Sequence, residues 1–375
     1  MAENGSVFIQ CFGRVEDPRV DRKKEHSLLD IMAISICAAI AGADGWTEIA
    51  DFGRAKEDWL RTFLKLPNGI PSHDTFGRVF SLLDPEQFQD AFMEWVKAIQ
   101  GQVKGVVAID GKTARRSHDH AKGKKAIHVV SAWARESSLA LGQVTVDDKS
   151  NEITAIPELV RKLNLKGCLV TIDAMGCQRK IAKTILDAHA DYLLAVKGNQ
   201  ETLAEDVESE FKHAMAQQFA HMEHHYYETL DKDHGRIEQR QYWYTQDIAG
   251  LGTADRWPGL RGMVMCRATR TLKGETTVED RYFITSAKHS DAAMIADSIR
   301  AHWGIENSLH WVLDVAFNED QSRIRIGHAA QNMNIIRKIA LNTVKNNKTS
   351  KRGVKGKRKQ AAWDNAYLNE LLLQV

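Results

Sequence analysis

With 375 residues, 43% of them apolar and 27% charged, the chain can bury at least one substantial core, which excludes a peptide, a coiled rod and a disordered tail protein. The net charge of +2 hides segregation: residues 1–100 carry 11 basic against 16 acidic side chains, which argues against a nonspecific DNA-coating segment there. The longest apolar stretch, Ile31 to Ala43, is too short to cross a bilayer, and the five cysteines form no CxxC pair, so we expect a cytoplasmic protein with neither a disulfide framework nor a thiolate zinc site.

The first hundred residues read as a helical domain with legible punctuation. Ser27, with Asp30 three residues on, starts a helix that runs through Ala41 and stops at Gly42. Thr47 to Leu64 and Asp74 to Leu83 give two further candidates. Asp84 followed by Pro85 caps another, whose Phe88, Phe92, Trp95, Val96 and Ile99 recur at helical spacing before Gly101.

From Val103 the pattern changes to short apolar runs, the mark of buried strands. VVAID is the first; AIHVVSAWA and LALGQVTV, separated by RESS, read as a hairpin, followed by a helix across Ile156 to Leu163. CLVTID and DYLLAVKG are the next strands, each leading into a helix, Arg179 to Ala188 and Glu201 to about Ala214. A hairpin leading into strand-helix-strand crossovers implies an α/β fold with a mixed sheet and helices on its faces. Residues 222–286 return to strand patterns and read as a mostly β insertion before a long helix from Ala292 to about Phe317. The expected division is a helical domain over 1–100, an α/β domain over 101–340 and a basic tail over 341–375. The run Lys345 to Lys359 holds eight basic residues and no acid, and is either a solvated, mobile tail or a phosphate-binding arm.

Two aspartates end two buried strands, Asp110 in VVAIDGKT and Asp173 in LVTIDAMG. A carboxylate at the carboxyl end of a strand sits at the sheet rim, where open α/β folds hold ligands. Two adjacent carboxylates repel, so they are tolerable together if they share a proton or hold cations, and Mg²⁺ supplies that compensation. A single strand-end aspartate is commonly just a solvated loop acid. A third acid is Glu306 in SIRAHWGIENSLHWVLDVAF, where Ile299, His302, Trp303, Leu309, His310 and Leu313 recur three or four apart, so that Glu306 is expected on an inward face. His302, Glu306 and His310 also share one i, i+4, i+8 ridge, which leaves a zinc-type site or a plain helix-surface salt bridge as rival readings.

The stretches AIDGKTARRS, TIDAMGCQ, LLAVKGNQ, DHGRIEQRQYW and HWGIENSLHWVLDVAFNED resemble those of the H-repeat-associated bacterial insertion-sequence transposases, a family of the DDE superfamily. The resemblance spans nearly the whole chain. It implies a ribonuclease-H-like core whose catalytic, metal-binding acids match Asp110, Asp173 and Glu306 and hold two Mg²⁺ or Mn²⁺ ions. It also implies DNA as partner, both the element's terminal inverted repeats and target DNA, and a homo-oligomer that pairs two ends, working in the bacterial cytoplasm at the nucleoid. Related transposases carry Tyr, Arg and Lys around the final Glu, where Ile299, His302 and Leu313 stand here, so phosphate contact falls to His302 and His310 or to residues elsewhere. The other candidates for DNA contact are Lys112, Arg115 and Arg116 past the first strand, Lys197 and Asn199 at the third, and Arg236 and Arg240 in the β region. Scattered surface basics, a turn-capping Asn199 and a self-paired strand face are the plainer readings of the same residues. The alternatives in function are a catalytically inactive, transposase-derived DNA-binding protein and a repair or junction nuclease on the same fold.

Overall fold

The computed structural model describes residues 2–119, 123–146, 150–233, 235–288 and 290–373. The N-terminal third is helical: α1 (Ala2–Phe12), α2 (Leu28–Ile40), α3 (Trp46–Ala55), α4 (Glu57–Leu60), α5 (His73–Leu82) and α6 (Pro85–Gln100). The caps at Ser27 and Asp84 are those the sequence announces, and Ser72 adds a third. Ser27 accepts from Asp30 N–H, Ser72 from Thr75 N–H and Asp84 from Glu86 N–H, each satisfying a backbone donor that the first helical turn leaves free. The helix expected over Thr47 to Leu64 is instead two, broken at Lys56, whose ψ of 17° departs from helical geometry. Almost every residue of α2 is buried, so it is the central rod of this bundle rather than a surface helix.

Nine strands form one sheet in the order β3-β2-β1-β4-β5-β9-β8-β7-β6: β1 (Val106–Thr113), β2 (His128–Ala134), β3 (Leu139–Val146), β4 (Leu169–Ile172), β5 (Asp191–Val196), β6 (His225–Asp233), β7 (Arg236–Thr245), β8 (Gly262–Leu272) and β9 (Glu275–Thr285). Strands β1 to β3 form an antiparallel meander, and β1, β4 and β5 run parallel. Helices α7 (Glu152–Lys162), α8 (Arg179–Asp187) and α9 (Glu201–Ala216) fall between the strands, giving the mixed α/β arrangement that the sequence pattern implies. The β region over 222–286 is continuous with this sheet, because β9 pairs antiparallel with β5 from Leu193↔Thr285 to Val196↔Tyr282.

After the sheet come α10 (Ala292–Ile305), a π-helical turn (Glu306–His310), α11 (Trp311–Phe317), α12 (Ala329–Asn346), α13 (Val354–Trp363) and α14 (Asn365–Leu373). Helix α12 is buried along nearly its whole length and packs against α2, α5 and α6, so both ends of the chain build one helical layer. The basic stretch expected as a tail is folded into this layer. Lys357 donates to Asn347 O at 2.6 Å, and Arg358 is buried, donating to Ala39 O at 3.0 Å, Ala43 O at 3.1 Å and Asp44 Oδ1 at 2.9 Å. The reason is local: the carbonyls at the C-terminal end of α2 have no helical partners, and a guanidinium with five donors satisfies them. Lys351, Arg352, Lys355 and Lys359 of the same run remain exposed.

Candidate active site

The parallel register of β1 and β4 ends on Ile109↔Ile172, so Asp110 and Asp173 are the next residues on adjacent strands, with backbones on the order of 5 Å apart at the rim of the sheet. Asp173 is oriented by its own turn, its Oδ1 accepting from Met175 N–H at 3.1 Å and Gly176 N–H at 3.3 Å. Burial pushes the Asp110 carboxyl up to about 7; a backbone N–H bond from Gly111 opposes this, while the nearby Asp173, Glu152 and Glu306 carboxylates add to it. Carboxylates far apart in sequence thus each add to the cost of ionising Asp110.

Glu306 reaches this rim differently from the sequence expectation. It is exposed rather than on an inward face, and it opens the π turn, in which Trp311 N–H donates back five residues to Glu306 O. The added residue displaces His310 from the ridge it shares with His302 and Glu306 in an ideal α-helix, and π turns of this kind cluster at functional sites. His302 Nδ1 lies 3.2 Å from Thr171 Oγ1, whereas His310 Nδ1 faces Asp110 Oδ2 at 3.5 Å. The zinc reading of the single helix therefore loses its common ridge. Burial, with Lys338 and Lys112 nearby, drives the His310 imidazole down to about 3, and burial lowers His302 as well, so both rings are neutral at physiological pH.

The basic candidates separate sharply. Lys112 is not at the surface: its ammonium donates to Glu319 Oε2 at 2.7 Å, to Asp314 and to His310 O at 3.3 Å, which occupies all three of its hydrogens inside the protein. The expectation of a phosphate contact there gives way to an internal tie between β1 and the segment carrying Glu306. Arg115 and Arg116 are exposed just beyond β1, Arg115 reaching Asp320 at 3.4 Å. Lys197 is exposed after β5, and Asn199 Nδ2 donates to Ala174 O at 2.6 Å, tying that strand end to the turn after Asp173. Arg240 meets Glu238 at 2.6 Å and Asp231 at 3.2 Å, and Arg236 meets Glu238 at 3.5 Å, which is the self-paired strand face.

Sequence reasoning missed Glu152 and His128. Glu152 Oε1 is 2.6 Å from His128 Nε2, and Glu152 adds to the negative field at Asp110. An acid in the first turn of a helix is commonplace, so nothing local marks it out. Among the described residues, no group of three or more His, Cys, Asp or Glu stands ready to hold a metal ion. The donor types nevertheless suit a hard divalent cation, since they are carboxylate oxygens, and burial first, with repulsion from the neighbouring carboxylates after it, lifts Asp110 toward its neutral form.

The family described as "DDE_Tnp_1-associated" matches residues 9–96, and that described as "Transposase DDE domain" matches residues 101–343. YncI of Escherichia coli O157:H7, a transposase by name, is 45% identical over 363 residues, covering 96% of this chain and 92% of that protein. The H repeat-associated YhhI of Escherichia coli (strain K12), likewise a transposase by name, is 42% identical over 365 residues, covering 96% of this chain and 95% of that one. A shorter relative from the same strain, "Inactive transposase YbfQ", is 48% identical over 65 residues, 17% of this chain and 77% of its own. Among solved structures, a piggyBac transposase synaptic complex with hairpin DNA aligns over 98% of this chain and 77% of that chain, with a TM-score of 0.42 and 10% identity, too distant a likeness to add to the reading of the fold.

Proposed function

The chain belongs to the transposase DDE domain family, and from that premise we propose that Asp110, Asp173 and Glu306 are the acids with which it cleaves DNA at the terminal inverted repeats of its element and joins the freed ends to target DNA. The observation that carries this is the register that makes Asp110 and Asp173 neighbours at the sheet rim, within the field of Glu306. These acids would hold the divalent ions the family uses, two Mg²⁺ or Mn²⁺. Such a pair supplies activation of the attacking oxygen and stabilisation of the leaving one in an in-line displacement at phosphorus.

The chain's own residues have the complementary tasks. Asp173, fixed by its turn, presents a preset carboxylate. His310, neutral and buried, faces Asp110 without competing for a cation by charge. Arg115, Arg116 and Lys197 supply exposed positive charge beside the acidic rim for backbone phosphates. His302 and His310 are turned toward Thr171 and Asp110, so they do not stand in for the family's phosphate-contacting Arg and Lys. Two element ends must be cut together, so the acting form is a homo-oligomer. No helix among the described residues is long and apolar enough to cross a membrane, and the site of action is the nucleoid.

The test is a labelled terminal-repeat duplex incubated with the full chain and Mg²⁺ or Mn²⁺, then with Asp110→Asn and Glu306→Gln. Cleavage and joining by the natural chain, lost in both variants, is the expected result. Cleavage surviving both substitutions rejects these acids, binding without cleavage marks an inactive DNA-binding descendant, and cutting that ignores the repeats and never joins marks a repair or junction nuclease.

A further inference from the structure

We propose that the exposed face of α13 is a docking surface for the phosphate backbone of duplex DNA, a contact region in the helical layer distinct from the basic residues at the sheet rim; the inference rests on the reading of the chain as one that acts on DNA.

The basic run divides by the faces of one helix. Lys357, Arg358 and Ala361 are buried on the inner face of α13, and Arg358 fastens the helix to its neighbours. Its guanidinium donates to Ala39 O, Ala43 O and Asp44 at the end of α2 and to Ala316 O of α11, and lies 3.9 Å from the centre of the Phe317 ring. Lys355 and Lys359, one turn apart, occupy the opposite face and are exposed, as are Lys348, Lys351 and Arg352 on the approach to the helix. Among the described residues, none of these five side chains forms an ion pair.

This arrangement works against the free protein. Lys355 and Lys359 are like charges at helix-neighbour spacing, and Lys355 stands in the first turn, where the helix dipole favours an acid and α13 has none. The nearby acids are committed elsewhere: Asp44 receives Arg358, Asp364 caps α14 through the N–H groups of Ala366 and Tyr367, and Glu370 accepts from Asn347 Nδ2. Five cations without protein counter-charge fit a polyanion, and duplex DNA, with one charge per about 1.7 Å of its axis, is such a partner. The fold also sets these cations beside the segment that carries Glu306. Helix α13 packs on α11, which continues from the π turn, and Lys345 of the same run donates to Ser308 O within that turn at 3.1 Å. Because Arg358 fixes α13, the outward lysines meet a duplex without the entropy loss of ordering a free tail.

The experiment follows binding of the full chain to a fluorescent duplex by anisotropy across a salt series, with one duplex carrying the terminal repeat and one of unrelated sequence. The natural chain is compared with a variant combining Lys355→Gln and Lys359→Gln. The double variant is expected to bind both duplexes roughly 10- to 100-fold more weakly, with the salt slope lowered by about 2, one for each lost phosphate contact. Natural affinity and slope in the double variant overturn the surface and leave the reading of the chain as a DNA-acting protein standing. Failure of the natural chain to bind either duplex overturns both. Vesicles of phosphatidylglycerol supply the rival polyanion, and a double variant that loses vesicle binding alone rejects the proposal. Acetylation of the natural chain by acetic anhydride, read by peptide mass spectrometry, keeps the test independent of how a variant folds. Lys348, Lys351, Lys355 and Lys359 are expected to be shielded by the duplex, and equal labelling with and without it overturns the assignment.

Discussion

Two clusters of ionisable groups lie two residues apart on the same face of β1, and they are electrostatic opposites. At Lys112 the charges are balanced from within: Glu319, fully buried, receives Lys112 at 2.7 Å and Asn334 Nδ2 at 2.6 Å, while Lys338 donates to Asn334 Oδ1 at 2.7 Å and Gln143 Oε1 at 2.5 Å. Burial would raise the Glu319 carboxyl, yet Lys112, Arg337 and Lys338 together hold it below the usual range. At Asp110 burial, with further carboxylates as neighbours, drives the group up to about 7. The protein completes one cluster and leaves the other uncompensated, which sets a structural tie apart from the proposed catalytic acids.

The largest effect that could break this contrast is on chemistry. Asp110→Asn is expected to lower DNA cleavage by roughly 10³-fold or more, since metal-assisted stabilisation supplies several kcal/mol and each 1.36 kcal/mol is tenfold, while the circular dichroism spectrum and melting cooperativity stay native. Glu319→Ala should act in the other currency. It strands Lys112 and Lys338 without their anion, and denaturant unfolding should report a loss of about 3–5 kcal/mol. Equal stability in the two proteins would erase the distinction between the clusters.

The pH dependence of metal-free stability sharpens it. Asp110 releases its proton near 3.8 when unfolded but only near 7 when folded, so between those values folding takes up a proton. Its contribution is complete below pH about 4 and is lost as pH rises through 7, roughly 2–4 kcal/mol in all. In Asp110→Asn, unfolding curves recorded from pH 4 to 8 should lack this decline; an unchanged decline would locate the titrating group elsewhere. The smallest effect is on DNA affinity. Arg116→Ala should weaken binding about 3- to 10-fold and reduce the salt slope by about 1, as expected for one phosphate contact. Lys112→Met should leave the slope alone, because that ammonium faces inward.

Much of the scaffold can be read residue by residue. Ser27, Asp84 and Pro85 mark helix starts, and the apolar runs that end in Asp110 and Asp173 mark parallel strands whose rims hold acids, because capping and strand burial are local requirements. Lys112 looks like any exposed basic residue after a strand; its anion, Glu319, is 207 residues away. Arg358 belongs to the most basic run in the chain, yet a buried carbonyl 319 residues earlier takes it inside. The π turn at Glu306 and the pairing of Glu152 with His128 are equally silent, since neither a helical period nor a helix-start glutamate distinguishes them from ordinary helix.

By itself, the order of residues determined the alternation of helices and strands, the mixed sheet, the kinship of the chain and the two strand-end aspartates, all of which follow from periodicity, capping and contiguous motifs. Tertiary structure alone decided which charges are neutralised by the protein and which are not, because Coulomb interactions depend on distance and burial in space rather than on separation along the chain. Asp110 and Lys112 make the point: neighbours on one strand, they differ in electrostatic surroundings because different distant segments fold over them.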